Sequence, residues 1–391
     1  MTQNIVIIGG GAVGSSTAYH LASNPAFRGT ITVIERDPTY RIASSSLSCA
    51  SIRQQFSTPV NVAMSRFGFH FLENAHHLLA VNAEPAEIAL KRQGYLFLAT
   101  AQNIDTLRHV HTIQKQAGAD VALLTPSEIA ARYPYINTDD LAGGSLGLSS
   151  EGWFDGPGLL AAFRRKARAL GVTYRAADAT GLTTHADKIT GITLSDGTTV
   201  PADLVVNAAG PWSWRVAAWL GIALPIRPRK RMVYVVRIPG TLENCPMLID
   251  SSGNFLRPEG PGYICGRSPG ETEPDPDEPP LEMEDAMFHD HVWPELAHRI
   301  PQLETLKLTG GWAGYYELNT WDYNGFVGPH PACPNMIFAT GFSGHGMQHS
   351  PATGRAVSEL ITHGAFQTLD LTPLATTRLS ENRPLLELGI V

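Results

Sequence analysis

The chain has little of what marks secreted, membrane-spanning or nucleic-acid-binding proteins. Only four cysteines occur in 391 residues, Cys49, Cys245, Cys265 and Cys333, with no CxxC spacing and no histidine at zinc-ligand distance. That disfavours a disulfide framework and a zinc site and fits a reducing compartment. No apolar run approaches the ~20 residues that cross a bilayer. The first apolar strand begins close to Met1 and leaves no room for a signal or transit peptide, so the expected localisation is cytoplasmic. Basic side chains number 29 against 36 acidic ones, a net charge of −7, and no basic run is long enough to track a phosphate backbone, so nucleic acid is not an expected partner. The nearest basic patch, Arg227, Arg229, Lys230 and Arg231, precedes an apolar strand-like run and reads as a local anion site or a solvated edge. The pairs His76-His77, His109-x-His111 and His289-x-His291 lack carboxylate or thiolate partners at matching spacing, so no metal is expected. Nor is there a nucleophile elbow or a Ser-His-Asp order to support hydrolysis.

What the chain does have is 43% hydrophobic residues, enough for two domains, and a dinucleotide unit at its start. Residues 5–35 run from a buried strand through Gly9-x-Gly11-x-x-Gly14 and a helix over about 12–22 into a second strand that ends at Glu35. Gly9 permits the tight turn, Gly11 lets the backbone approach a pyrophosphate, and Gly14 lets the helix pack on the sheet. The helix N-terminus presents unpaired N–H groups and the positive end of its dipole to the phosphates. Glu35 stands where a carboxylate accepts from the ribose hydroxyls and repels a 2′-phosphate, which disfavours NADP.

Further along, a serine-rich loop at 43–51 precedes helical patterning at 60–79. Residues 156–171 carry a proline near a helix start and a glycine past its end. A β-meander follows, with a hairpin at Ser195-Asp196-Gly197, and then a buried strand ending in Asn207-Ala-Ala-Gly210. From 224 to 328 β-branched and aromatic runs dominate, interrupted by an acidic, proline-rich stretch at 270–280 that reads as a solvated loop or a mobile lid. An apolar strand at 336–340 then enters Gly341-Phe-Ser-Gly-His-Gly346 and a helix expected over 351–361. A second glycine-lined helix start so far from the first implies a large ligand touched by both ends of the chain.

Taken with Val205-Val-Asn-Ala-Ala-Gly-Pro-Trp212 and Phe255-Leu-Arg-Pro-Glu-Gly260, these motifs make the chain resemble the D-amino-acid oxidase and sarcosine oxidase superfamily of FAD-dependent amine oxidoreductases. Gly311-Trp-Ala-Gly-Tyr-Tyr-Glu317 and Asn324-Gly-Phe-Val-Gly-Pro-His330 look closest to the mitochondrial branch associated with respiratory complex I assembly and its bacterial relatives. The resemblance implies an α/β plus α+β fold. A discontinuous Rossmann-type FAD-binding domain would comprise 1–80, 148–222 and 330–365, an antiparallel-sheet substrate domain 81–147 and 223–329, and a C-terminal tail 366–391. It also implies cofactor contacts from Gly9, Gly11, Ala12, Val13 and Gly14, from Glu35 and Arg36, and from Ser44, Ser45 and Ser46. Further contacts would come from Ala209, Gly210 and Trp212, from Gly314, and from Gly341, Gly344, His345, Gly346, Met347 and Gln348. Backbone donors at 344–347 would stabilise charge arriving at the flavin edge.

Departures from the family narrow the reading. Tyr315 stands where monomeric sarcosine oxidases attach flavin through cysteine, and the 44–48 loop has no histidine, so the resemblance implies non-covalent FAD. Ile264 replaces an oxygen-activating lysine, which disfavours oxygen as acceptor, and Gln348 and Tyr316 replace carboxylate-binding residues of sarcosine and glycine oxidases. Arg53 matches a substrate-carboxylate arginine, its alternatives being a structural salt bridge or a phosphate contact. Arg257 either faces the cavity or caps a strand. His345 serves as a base, as a charge stabiliser or only as a hydrogen-bonding turn residue, while Tyr315, Tyr316 and Gln348 are candidate cavity walls. The expected activity is oxidation of the C–N bond of a secondary, N-substituted or D-amino acid to an imine, with electrons passing to a quinone, a partner flavoprotein or oxygen. The alternatives are a 2-hydroxy-acid dehydrogenase and a FAD-stabilised assembly protein.

Overall fold

A computed structural model describes residues 3–186, 188–270 and 273–388. Its first strand, Gln3–Ile8, lies inside a six-stranded sheet in the order Phe326–His330, Cys333–Thr340, Leu204–Asn207, Gln3–Ile8, Gly29–Glu35, Thr173–Ala176. All neighbours are parallel except the hairpin of the first two strands. Side chains alternate along a strand, so Ile5 and Ile7 enter the core on one face while Val6 and Ile8 enter the core on the other. The first face carries the helices Ala12–Ser23, Pro59–Leu78, Gly156–Ala169 and Gly346–His363. Against the second packs a three-stranded antiparallel meander, Ala179–His185, Lys188–Leu194 and Thr199–Pro201, with the hairpin turn where the sequence places it.

A second sheet has eight strands, in the order Lys307–Asn319, Ile226–Arg237, Gly262–Arg267, Asn254–Glu259, Met247–Ile249, Tyr95–Thr100, Leu141–Gly147, Val121–Leu124. It is antiparallel but for the pairing of Met247–Ile249 with Tyr95–Thr100. Its core gathers Leu96, Tyr234, Leu256, Phe288, Val292 and Leu296. A mixed α/β fold with a Rossmann-type half and an antiparallel half is what the sequence motifs imply.

Three details depart from the sequence expectations. The last long helix begins at Gly346, not near 351, and holds Pro351 inside it. Proline cannot donate to the carbonyl four residues back, and the Ser350 hydroxyl donates to Met347 O at 2.9 Å instead, so the helix runs through. The hairpin Phe326–His330 with Cys333–Thr340 belongs wholly to the six-stranded sheet and so straddles the expected boundary at 329/330. Finally, residues 371–387 are packed into the molecule. Leu371 and Leu374 are fully buried, Arg378 ion-pairs with Asp322 at 3.1 Å, and the buried Glu387 carboxylate accepts from Ser57 N at 2.6 Å and Asn61 Nδ2 at 2.9 Å.

Candidate active site

One elongated cavity runs between the two sheets and is lined by both glycine turns. At its nucleotide end Gly9 has φ +97°, and a Cβ there would stand 2.3 Å from Ala208 O, so only glycine fits. A Cβ on Gly14 would stand 1.9 Å from Gly9 O; this glycine does not line the cavity but lets the helix sit on the turn. Helix Ala12–Ser23 starts at Gly11 without a side-chain cap, and Ala12 N donates to Ser45 Oγ at 2.9 Å. Ser44 and Ser45 line the cavity, and the buried Ser44 hydroxyl has no hydrogen-bond partner among the described residues; Ser46 lies outside the lining. An uncapped helix start, a glycine cradle and an orphaned hydroxyl make a fitting seat for a pyrophosphate. Glu35 closes this end, accepting from Gly10 N at 2.8 Å and Asp37 N at 2.9 Å, and burial pushes its carboxyl above the usual range. The Arg36 guanidinium stacks 3.6 Å over the Trp212 ring, and Ala209 and Gly210 complete the wall.

The helix Gly346–His363 brings its N-terminus to the other end of the same cavity. The two helices pack closely at Gly354, where a Cβ would stand 2.3 Å from Ser16 Oγ. Gly344 has φ +86° and lies flat against the Tyr316 ring, which a Cβ would meet at 2.4 Å. Gly341 is outside the lining; its φ of +84° turns the chain off its strand. Gly314, Gly346, Met347 and Gln348 all line the cavity. His345 does too, and burial, aided by the Arg53 charge, pushes its imidazole down to about 3. It is therefore neutral, with an Nε2 that has no partner among the described residues.

Arg53 and Gln348 meet here across 295 residues of sequence: Arg53 N donates to Gln348 Oε1 at 2.9 Å. The buried Arg53 guanidinium lines the cavity 4.0 Å from the Phe56 ring, with Nη1 donating to Gln55 O. Tyr315 donates its hydroxyl to Pro279 O at 2.6 Å and, with Tyr316, forms a wall. Cys49 also lines the cavity, and burial pushes its thiol up to about 11, so it stays protonated.

Arg257 is not brought to the site. It ion-pairs with Glu259, donates to Cys49 O at 2.8 Å and stands 5.4 Å from the Trp153 ring, outside the lining. Residues two apart share a strand face, so Glu259 reaches it first.

Sequence reasoning passed over Glu317, although it ends the quoted Gly311-to-Glu317 motif. Its carboxyl is walled into the cavity side, accepts from Phe342 N at 3.3 Å and Thr340 Oγ1 at 3.2 Å, and is pushed up to about 7 by burial. Glu151 was missed as well; it backs the Arg53 segment, accepting from Gln55 Nε2 at 2.8 Å, and burial pushes it likewise to about 7. Nothing in the local pattern of either carboxylate signals burial. Among the described residues no group of three or more His, Cys, Asp or Glu side chains is placed to hold a metal ion, and no helix is long and apolar enough to cross a membrane.

Comparison with known proteins agrees with this geometry. The family DAO, FAD dependent oxidoreductase, matches residues 4–360. FAD-dependent oxidoreductase domain-containing protein 1 of Xenopus laevis is 44% identical over 99% of this chain and 85% of its own length. Glycine oxidase of Geobacillus kaustophilus is 24% identical over 96% of this chain and 97% of its own. The crystal structure of L-proline dehydrogenase from P. horikoshii superposes with a TM-score of 0.86 at 26% identity, covering 98% of this chain and 99% of that one. With the family matched across both glycine turns and both sheets, the chain belongs to the DAO family of FAD-dependent oxidoreductases, and FAD is its cofactor.

Proposed function

We propose that this protein oxidises the C–N bond of a secondary, N-substituted or D-amino acid to an imine, which water then hydrolyses. Bound FAD supplies the hydride acceptor, held without a covalent link and reoxidised by a quinone, a partner flavoprotein or oxygen. The observation that carries the reading is Arg53, a buried guanidinium lining the cavity beside the second helix N-terminus. A planar guanidinium there holds an amino-acid carboxylate and points the Cα–H into the cavity. Tyr316 and Phe255 supply aromatic wall around it.

The chain's own charges favour an amine over an alcohol. An amino acid enters as an ammonium and must lose that proton before its lone pair can support the imine. Low dielectric and the neighbouring Arg53 charge both disfavour a second cation, so the entering ammonium gives its proton to solvent water readily. His345, pushed down to about 3, is too weak a base to draw the proton from a hydroxyl, which is what a 2-hydroxy acid would require. The P. horikoshii relative is named for a cyclic secondary amino acid, which supports the same substrate class. We place the protein in the cytoplasm.

The test is anaerobic bleaching of the flavin's visible band by a panel of N-alkyl, cyclic and D-amino acids alongside 2-hydroxy acids. Bleaching by amino acids alone is the expected outcome. Bleaching by 2-hydroxy acids alone would overturn the reading, and readmitting air would show whether oxygen serves as acceptor.

A further inference from the structure

Residues 273–278 of the acidic stretch read from the sequence as a surface loop lie on the basic cluster read as an anion site, and Arg231 of that cluster lines the cavity. Arg231 and Arg267 line that cavity together with Arg53. The Arg231 guanidinium stands 5.3 Å from the Tyr316 ring, and the charges of Arg231 and Arg53 both act on that phenol. Asp275 holds Arg231 with two hydrogen bonds, at 2.8 Å to Nη1 and 2.9 Å to Nη2. Glu273 holds Arg267 at 2.6 Å. The Nε atoms of both arginines are buried without a partner among the described residues.

The segment 273–278 is held by charge and little else. None of its residues is buried, and two of the six are prolines. Its further anchors include Glu278 N on Pro228 O at 2.8 Å, Trp212 Nε1 on Glu278 Oε1 at 2.7 Å, and ion pairs of Arg229 with Asp277 at 3.1 Å and with Asp275 at 3.9 Å, so Arg229 keeps Asp277 when Asp275 leaves. The arginine side of each pair is mostly buried while the carboxylate side is partly open to water, with Arg231 11% and Asp275 27% exposed, so the carboxylate is the partner that can leave. A carboxylate entering from the cavity would replace Asp275 one for one, leaving Arg231 paired as before while releasing Asp275 to water. Such an exchange costs no unpaired buried charge, the usual obstacle to breaking a buried pair.

Resting on the amino-acid reading above, we propose that Arg231 and Arg267 form a second anion subsite and that the substrate is a dicarboxylic secondary amine, an N-(carboxyalkyl) amino acid. Arg53 takes the α-carboxylate and Arg231 takes the distal one. Asp275 and Glu273 occupy the subsite when substrate is absent, so only a substrate with a second carboxylate gains the Arg231 contact.

The experiment measures binding by perturbation of the flavin absorption in the FAD-loaded protein. Two thioethers are compared, in which sulfur replaces the amine nitrogen: thiodiglycolate, with two carboxylates, and (methylthio)acetate, with one. Thiodiglycolate is expected to bind at least about tenfold tighter, the scale of one charged hydrogen-bond pair. Asp275→Asn, which weakens the competitor, should tighten thiodiglycolate binding further, and Arg231→Met should erase the preference. Equal affinity of wild type for the two ligands would overturn the subsite while leaving the amino-acid reading in place. Failure of both ligands to perturb the flavin would remove the subsite and the amino-acid reading together. If Arg231→Met does not fold, Asp275→Asn decides alone: unchanged thiodiglycolate affinity refutes the exchange.

Discussion

Glu317 offers a direct test of how burial acts on this site. Its carboxyl has an ordinary value of 4.5 and is pushed up to about 7, with desolvation the largest cause and donors on Gly341, Phe342 and Thr340 opposing it. Because the folded-state value is the higher one, the folded protein holds a proton there that the unfolded chain has already lost. Its contribution is fully present below about 4.5 and is lost as pH rises through about 7. At about 1.4 kcal/mol per tenfold in acidity, ionising the buried group costs roughly 3 kcal/mol. Glutamine has nearly the same shape, accepts from the same backbone donors and never ionises. Glu317→Gln should therefore lie within about 1 kcal/mol of wild type at pH 5 and exceed it by roughly 3 kcal/mol at pH 8.5. Urea unfolding of both proteins, in the same fixed excess of FAD at each of several pH values, reads the difference. Taking that difference cancels the other titrating groups, including Glu151, pushed up to about 7, and His345, pushed down to about 3 with the opposite pH trend. A difference that stays constant across the range would refute the argument from burial.

Three further outcomes follow from the geometry. Replacing Gly344, at φ +86° with the Tyr316 ring 2.4 Å from a would-be Cβ, by alanine adds about 1–2 kcal/mol of left-handed strain and about 1–3 kcal/mol of overpacking; thermal unfolding should show the loss, and a variant as stable as wild type would remove that contact from the account. Arg378→Met breaks a buried ion pair with Asp322 and the bonds to Asn324 O and Gly325 O, so it should cost about 3–5 kcal/mol, with partial recovery when Asp322→Asn is added. Replacing Arg53 with methionine should raise KM for a carboxylate substrate roughly 10- to 100-fold through loss of a charged hydrogen bond; an unchanged KM would take Arg53 out of the substrate site.

Much of the nucleotide end was legible because its parts are close in the chain. Gly9, Gly11, Gly14 and Glu35 lie within one strand–turn–helix–strand unit, and the Gly10 N to Glu35 bond spans only 25 residues. The second glycine turn was legible for the same reason, although its helix start was placed too late because proline normally opens a helix and here sits inside one. Arg257 was left open between the cavity and a strand cap because an Arg-Pro pair on a strand says nothing of which neighbour its guanidinium meets; Glu259, two residues along, is the one it pairs with.

By itself, then, the sequence marked a dinucleotide unit, a second glycine turn and, through the family resemblance those motifs carry, FAD and the class of fold, because glycine spacing and strand composition act over a few residues. Tertiary structure alone decided that Gln348 meets Arg53, that Glu317 and Glu151 are buried, that Glu387 locks to Ser57, and that the acidic stretch lies across the basic cluster at the cavity. Those outcomes depend on where distant segments fold together and on how much water remains between them. Charge and desolvation act through space, and no pattern along the chain records that distance.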